Sequence, residues 1–217
     1  MSQAELRLER MALADMPPLQ QLTAIERLFL TRTPITDLTP LAGLTQLRVL
    51  GLRLTRVSDV SPLAALTALE SLILSFTPVA DVAPLARLTG LRSLYLTGCL
   101  VADISPLAGL TGLTRLDLGG TRVSDLRPLA DLTELASLQL SSTEVVDLLP
   151  LAGLSRLRVL ELGDTAVRDL SPLVGLTTLQ RLDVRGTKVA DDAVLSRLDG
   201  CEIVSGATFR RARRRAG

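Results

Sequence analysis

Nine aspartates, Asp15, Asp37, Asp59, Asp81, Asp103, Asp125, Asp147, Asp169 and Asp191, stand 22 residues apart through a chain of 217 residues. A row of carboxylates is the raw material of a calcium site. Calcium, however, takes six or more oxygens from clustered ligands, and each period here supplies one carboxylate. An aspartate ahead of a turn more simply accepts a hydrogen bond from a backbone N–H two residues on, and this structural reading is the one favoured. Catalysis has little else to draw on. There is no histidine, Cys99 and Cys201 fall in a repeat slot and near the C-terminal end, and no glycine motif for phosphate is present. Gly119 and Gly120 belong to a variable stretch of the repeat. No metal, cofactor or enzymatic activity is expected.

The period extends well beyond aspartate. Thr33, Thr55, Thr77, Thr121, Thr143, Thr165 and Thr187 mark one register, and eight units from Met11 to Gly186 share the pattern xxΦxDΦxPLAxLTxLxxLxL, with Φ an Ile, Val or Leu. A repeat this regular is a stack of identical units, none able to bury its apolar face alone. In one unit, Leu69, Leu72 and Leu74 alternate with variable residues as in a half-buried strand. Over Asp59–Leu66 the apolar residues then fall three and four apart, and Pro62 sits where a helical turn can begin. Thr39, Ser61, Ser105 and Ser171 precede the proline and could cap that turn. Each unit thus reads as a short strand, a turn and a helical or 3₁₀ return.

With about ten positions repeated in each unit, LxxLxLxxTxVxDVxPLAxL resembles the leucine-rich-repeat family, in its 22-residue bacterial class typified by internalins. The resemblance covers roughly residues 6–205. It implies an α/β repeat solenoid, a right-handed coil with a concave parallel β-sheet and short helical or 3₁₀ segments on the convex side. One departure is systematic: the family's inward asparagine is threonine here, with Cys99 once and Met11 in the first unit. Threonine offers less hydrogen bonding than a carboxamide, so a threonine ladder is expected, with Cys99 and Met11 as its weak spots. The organisation is expected to be a bare first strand in 1–10, eight repeats in 11–186, a divergent capping repeat in 187–205 and a disordered basic tail in 206–217.

The resemblance also implies that residues flanking the strand leucines face a partner. The expected set is Arg27, Phe29, Arg53, Ile73, Phe76, Tyr95, Arg115, Asp117, Gln139, Glu161, Arg181, Asp183 and Arg185. The face would be apolar and basic from Arg27 to Tyr95 and acidic from Asp117 to Asp183, on the order of 40 Å long at strand spacing. Phe29, Phe76 and Tyr95 are three of the four aromatics, a residue type that dominates interface energetics. The alternative is that they pack on neighbouring strands. Arg181, beside Glu161 and Asp183, is read as a cross-strand ion pair.

A protein-binding scaffold is therefore the leading functional reading. Nucleic-acid or anionic-surface binding competes through Arg210, Arg211, Arg213, Arg214 and Arg215, without which the net charge of +1 becomes −4. A spacer in a larger assembly is a third reading, with self-association through the uncapped N-terminal edge. The start MSQAELRLER lacks the apolar run of a signal peptide, and two cysteines far apart along the stack fit a reducing compartment, so the expected location is cytoplasmic, with a specialised export route as the alternative.

Overall fold

The structure, a computed structural model, describes residues 4–12, 17–189, 192–198, 200–205 and 209–211. Among these residues, ten short parallel strands follow one another in chain order: β1 Glu5–Arg7, β2 Arg27–Phe29, β3 Val49–Gly51, β4 Ser71–Ile73, β5 Ser93–Tyr95, β6 Arg115–Asp117, β7 Ser137–Gln139, β8 Val159–Glu161, β9 Arg181–Asp183 and β10 Glu202–Val204. The register from β1 to β9 is the sequence period itself: Leu6 pairs with Leu28, Leu28 with Leu50 and Leu50 with Leu72. Identical side chains therefore stack in columns. Leu28, Leu50, Leu72, Leu94, Leu138, Leu160 and Leu182 are wholly buried, as are Leu30, Leu52, Leu74, Leu96, Leu118, Leu140 and Leu162 two residues on. Truncating one such leucine to alanine costs about 2–5 kcal/mol.

Strands β1 to β9 each exit through a left-handed residue. Arg10, Arg32, Leu54, Phe76, Gly98, Gly120, Ser142, Asp164 and Gly186, again 22 apart, all have positive φ. That conformation sends the N–H to the next coil: Phe76 donates to the Thr97 carbonyl at 2.7 Å and Asp164 to the Arg185 carbonyl at 2.7 Å. Only three of these positions are glycine, the residue that adopts positive φ without steric cost.

The threonine follows immediately. Its hydroxyl donates to the carbonyl three residues back, Thr33 to Leu30 at 2.7 Å, Thr121 to Leu118 at 2.6 Å and Thr143 to Leu140 at 2.6 Å. The expected ladder is thus a set of separate clasps, one inside each coil. The short hydroxyl cannot span two coils as a carboxamide can. At Cys99 the arrangement differs: its thiol reaches back to the Leu74 carbonyl of the preceding coil at 3.2 Å and lies 3.5 Å from the Thr77 hydroxyl.

Aspartate then closes the turn into the return segment, as read from the sequence. Asp37, Asp59, Asp81, Asp103, Asp125, Asp147 and Asp169 each accept from the backbone N–H two residues later, at 2.7–2.9 Å. Asp15 and Asp191 lie outside the described residues. The expectation that Thr39, Ser61, Ser105 and Ser171 cap the turn is corrected here: each is the first residue inside its turn, and the cap positions fall to Leu38, Val60, Ile104 and Leu170, whose side chains make no cap bond. The aspartate two residues before each Ser or Thr instead accepts its own backbone N–H, and the hydroxyls of Ser61 and Ser171 donate to that aspartate at 2.9 and 2.8 Å. The returns themselves are 3₁₀ turns, for example Ser61–Ala65 and Ser105–Leu107, each with proline in its first turn. Their inward leucines, such as Leu63 and Leu107, are fully buried.

The last coil departs from the pattern. A short helix, α1 Asp192–Leu195, replaces the 3₁₀ turn before β10. Where the sequence suggested an unstructured tail, the backbone of Phe209–Arg211 forms β11, antiparallel to β10. The rest of the expected tail, 206–208 and 212–217, lies outside the described residues. No helix among the described residues is long and apolar enough to cross a membrane.

Candidate functional site

Strand residues that alternate with the buried leucines emerge together on the open side of the sheet. Because β1 to β9 stack in register, subtracting or adding 22 names each neighbour among them. Arg7, Phe29 and Gly51 form one such row. The Arg7 guanidinium lies 4.3 Å from the centroid of the Phe29 ring, and that ring in turn lies over Gly51, where an added Cβ would meet it at 2.6 Å. Phe76 repeats the arrangement at the strand exit. Arg53 stands 4.7 Å above its ring, and the ring covers Gly98 at 2.7 Å from where a Cβ would stand. Two of the three aromatics of the expected face are therefore packed against glycines and roofed by arginines, with Phe76 still 44% exposed. Arg7 stands one period before Phe29 in the same column.

Tyr95 differs. It carries no such roof and forms one wall of a hollow of about 210 Å³, with Arg115, Asp117, Ser137, Gln139 and Glu161 around it and the strand positions Leu116 and Leu138, whose side chains are buried on the core side, beneath it. Tyr95, Asp117, Gln139 and Glu161 are successive cross-strand neighbours. Backbone bonds hold the polar members in place: Asp117 accepts from the Gly119 N–H at 3.0 Å and Gln139 from the Ser141 N–H at 2.7 Å. The Gln139 amide also donates to Glu161 at 2.6 Å. One oxygen on each of Asp117 and Glu161 keeps its acceptor capacity, and Arg115 is exposed. An aromatic wall, hydrogen-bonding groups and both charge signs within one concavity can grip a polar or charged side chain.

Elsewhere the charged members are engaged with one another. Asp183 is 1% exposed. Its carboxylate takes the Arg185 guanidinium at 2.5 Å and the Arg185 backbone N–H at 3.0 Å. Burial pushes its pKa up, but the hydrogen bonds from Arg185, with the charges of Arg185 and Arg181, outweigh it and hold the group below the usual carboxylate range. The Arg181 pairing expected with Glu161 and Asp183 is corrected: Arg181 reaches Glu202 on the next strand at 3.8 Å, since Asp183 is occupied by Arg185. Arg27 faces Glu5 at 3.1 Å, yet its buried Nε lacks a well-aligned hydrogen bond. The acidic half of the face thus offers Asp117 and Glu161, with Asp183 withdrawn beneath Arg185. Ile73 is half-buried between Gly51 and Tyr95 in the same row.

A family model described as leucine-rich repeats (2 copies) matches residues 67–109. No curated protein sequence matches. Among solved structures, an internalin (inlF) from Listeria monocytogenes is 38% identical, with a TM-score of 0.83, over 86% of this chain and 56% of that one. The chain thus spans little more than half the length of that relative. An internalin C2 (inlC2) from the same organism is 41% identical, with a TM-score of 0.73, over 74% of this chain and 71% of that one. The ectodomain of the plant receptor kinase GASSHO1/SCHENGEN3 from Arabidopsis thaliana, at 18% identity and a TM-score of 0.80, shares the fold over 94% of this chain and 27% of its own. Identity of this level across the repeats, on a sheet and turns of the same architecture, makes this chain a member of the leucine-rich-repeat family of the internalin type.

Proposed function

We propose that the chain is a non-catalytic scaffold that recognises another protein through its concave face, with the hollow beside Tyr95 at the centre of contact. The observation that carries this reading is the separation of constant from variable positions. Columns facing inward hold leucine coil after coil, whereas the column Phe29, Gly51, Ile73, Tyr95, Asp117, Gln139, Glu161 holds a different residue at every step and varies along its length in size, charge and polarity. Stacking requires only the first set to be constant. Tyr95 and Arg115 are of the types that anchor interfaces, and here an aromatic wall and an exposed guanidinium border one concavity.

Affinity capture with the wild-type chain and with Tyr95→Ala combined with Glu161→Ala tests the reading. Captured partner is expected to fall at least about tenfold with the double variant at unchanged circular dichroism. Undiminished capture would refute the placement. A parallel chain ending at residue 208 separates the competing class: binding carried by the terminal arginines would vanish with them and collapse between low and moderate salt.

A further inference from the structure

The sheet has two ends, and the outer edge of β1 carries a pattern that reads alike from either direction. Along a parallel pair, alternate residues turn their N–H and C=O groups to one neighbour. In β1 the groups turned inward belong to even-numbered residues: the Ala4 carbonyl accepts from Glu26 at 3.1 Å, Leu8 donates to Phe29 at 2.9 Å and Arg10 to Thr31 at 3.0 Å. The backbone groups of Glu5 and Arg7 therefore point out of the sheet, and no strand among the described residues pairs with that side. Behind this edge the core also stops short. Leu6, Leu22 and Ile25 are only partly buried, whereas Leu28, Leu44 and Leu47, one period on, are wholly buried.

We propose that a second copy of this chain closes the edge through antiparallel β1–β1 pairing centred on Leu6. In that register Glu5 faces Arg7 of the second copy, Arg7 faces its Glu5, and each pair exchanges two backbone hydrogen bonds. Leu6 meets Leu6 on the core side, while the charged side chains meet on the concave side. The interface is isologous, with its two-fold axis normal to the sheet. Charge selects this register over its neighbours. A shift of two residues one way sets Arg7 against Arg7 and Glu5 against Glu9; the other way it sets Glu5 against Glu5. Shifts of one residue bring outward-facing backbone groups against inward-facing ones and leave them unbonded. Within one chain Arg7 already contacts Glu5 at 2.7 Å and Glu9 at 3.4 Å, so the charges that would pair across the axis are gathered at the edge. The same charges discourage arbitrary strands from adding there.

Light scattering and sedimentation equilibrium on the 217-residue chain, from about 1 to 100 µM, test the proposal across the affinities expected of so small an interface. The expected mass rises with concentration from 23.2 kDa toward twice that value. Glu5→Arg and Arg7→Glu, each alone, set like charges opposite one another and should weaken self-association at least about tenfold. Mixing these two variants should restore association as a one-to-one heterodimer, and the double swap should restore the homodimer. Where a charge variant folds poorly, Arg7→Pro removes an outward N–H without touching the bonds to β2, and should be monomeric. A wild-type monomer throughout, a dimer indifferent to all three substitutions, failure of the mixed variants to pair while each is folded, or an open-ended series of masses from β1 meeting the opposite end would each overturn the proposal. Tyr95→Ala should leave the dimer intact, which separates this edge from the concave face.

Discussion

At the scale of single residues the chain assigns one task to each register position. Threonine clasps its own coil, aspartate holds the N–H that opens the return, and leucine fills the column. These roles were legible in the sequence because the period exposes them: a residue type that recurs every 22 positions must meet the same surroundings each time. The cysteines break that rule, and they make a test. Cys201 sits at 2% exposure beside a cavity of about 180 Å³ bordered by Leu176, Leu179 and Leu198. Burial, and then the nearby Glu202 carboxylate, push its thiol from 9.0 to about 11. A folded-state pKa above the unfolded one favours the protonated form in the native protein. Its contribution is therefore full below pH 9 and is lost as pH rises toward about 11. Urea unfolding at a series of pH values should show the wild type losing on the order of 2 kcal/mol more than Cys201→Ser over that interval. Equal pH profiles would show that the thiol stays as accessible to water as in the unfolded chain. Burial in Cys99 acts in the same direction.

At the scale of the element, each exit from β1 to β9 is forced through left-handed backbone whether or not the sequence supplies glycine. Leu54 and Phe76 occupy this conformation at φ of 57° and 60°. Neither residue type announces it, so this strain was hidden in the sequence; only Gly98, Gly120 and Gly186, in the same register, point to it. The two positions should respond in opposite directions to the same change. Leu54→Gly relieves steric cost of about 1 kcal/mol, partly offset by the greater freedom of glycine in the unfolded chain, and should stabilise by about 0.5 kcal/mol. Phe76→Gly relieves the same strain but uncovers Gly98 and releases Arg53, and should destabilise. Chemical denaturation of both variants checks the pair; a gain in both would mean that the ring adds nothing by covering Gly98. The stacks of Arg7 on Phe29 on Gly51 and of Arg53 on Phe76 on Gly98 show how an aromatic chosen for the open face comes instead to occupy the space a glycine leaves. Sequence reading named the aromatics but not their settings, because the setting depends on what lies one coil further on.

At the scale of the whole molecule, contacts run from coil to adjacent coil, and the sheet keeps chain order from β1 to β11. Removal of residues 121–142, one complete period, should therefore leave a folded protein with the same circular dichroism per residue and a lower melting temperature, since stability is a sum over coils and their junctions. Loss of cooperative melting would show that the coils depend on something beyond their neighbours. The solenoid and its concave sheet were evident from the period, whereas β11 was not: Phe209–Arg211 lies beyond the repeat, and its pairing with β10 has no counterpart to extrapolate from. Uniform columns have a further consequence for how the chain finds its shape. With the same leucines presented at every level, the interior holds no address that tells one coil from another, and a segment displaced by a full period meets an almost degenerate site. Correct order then rests on tether length, which lets each coil reach the next before any other. In concentrated solution that tether is no longer decisive, and coils of different molecules become eligible partners for the same vacancies.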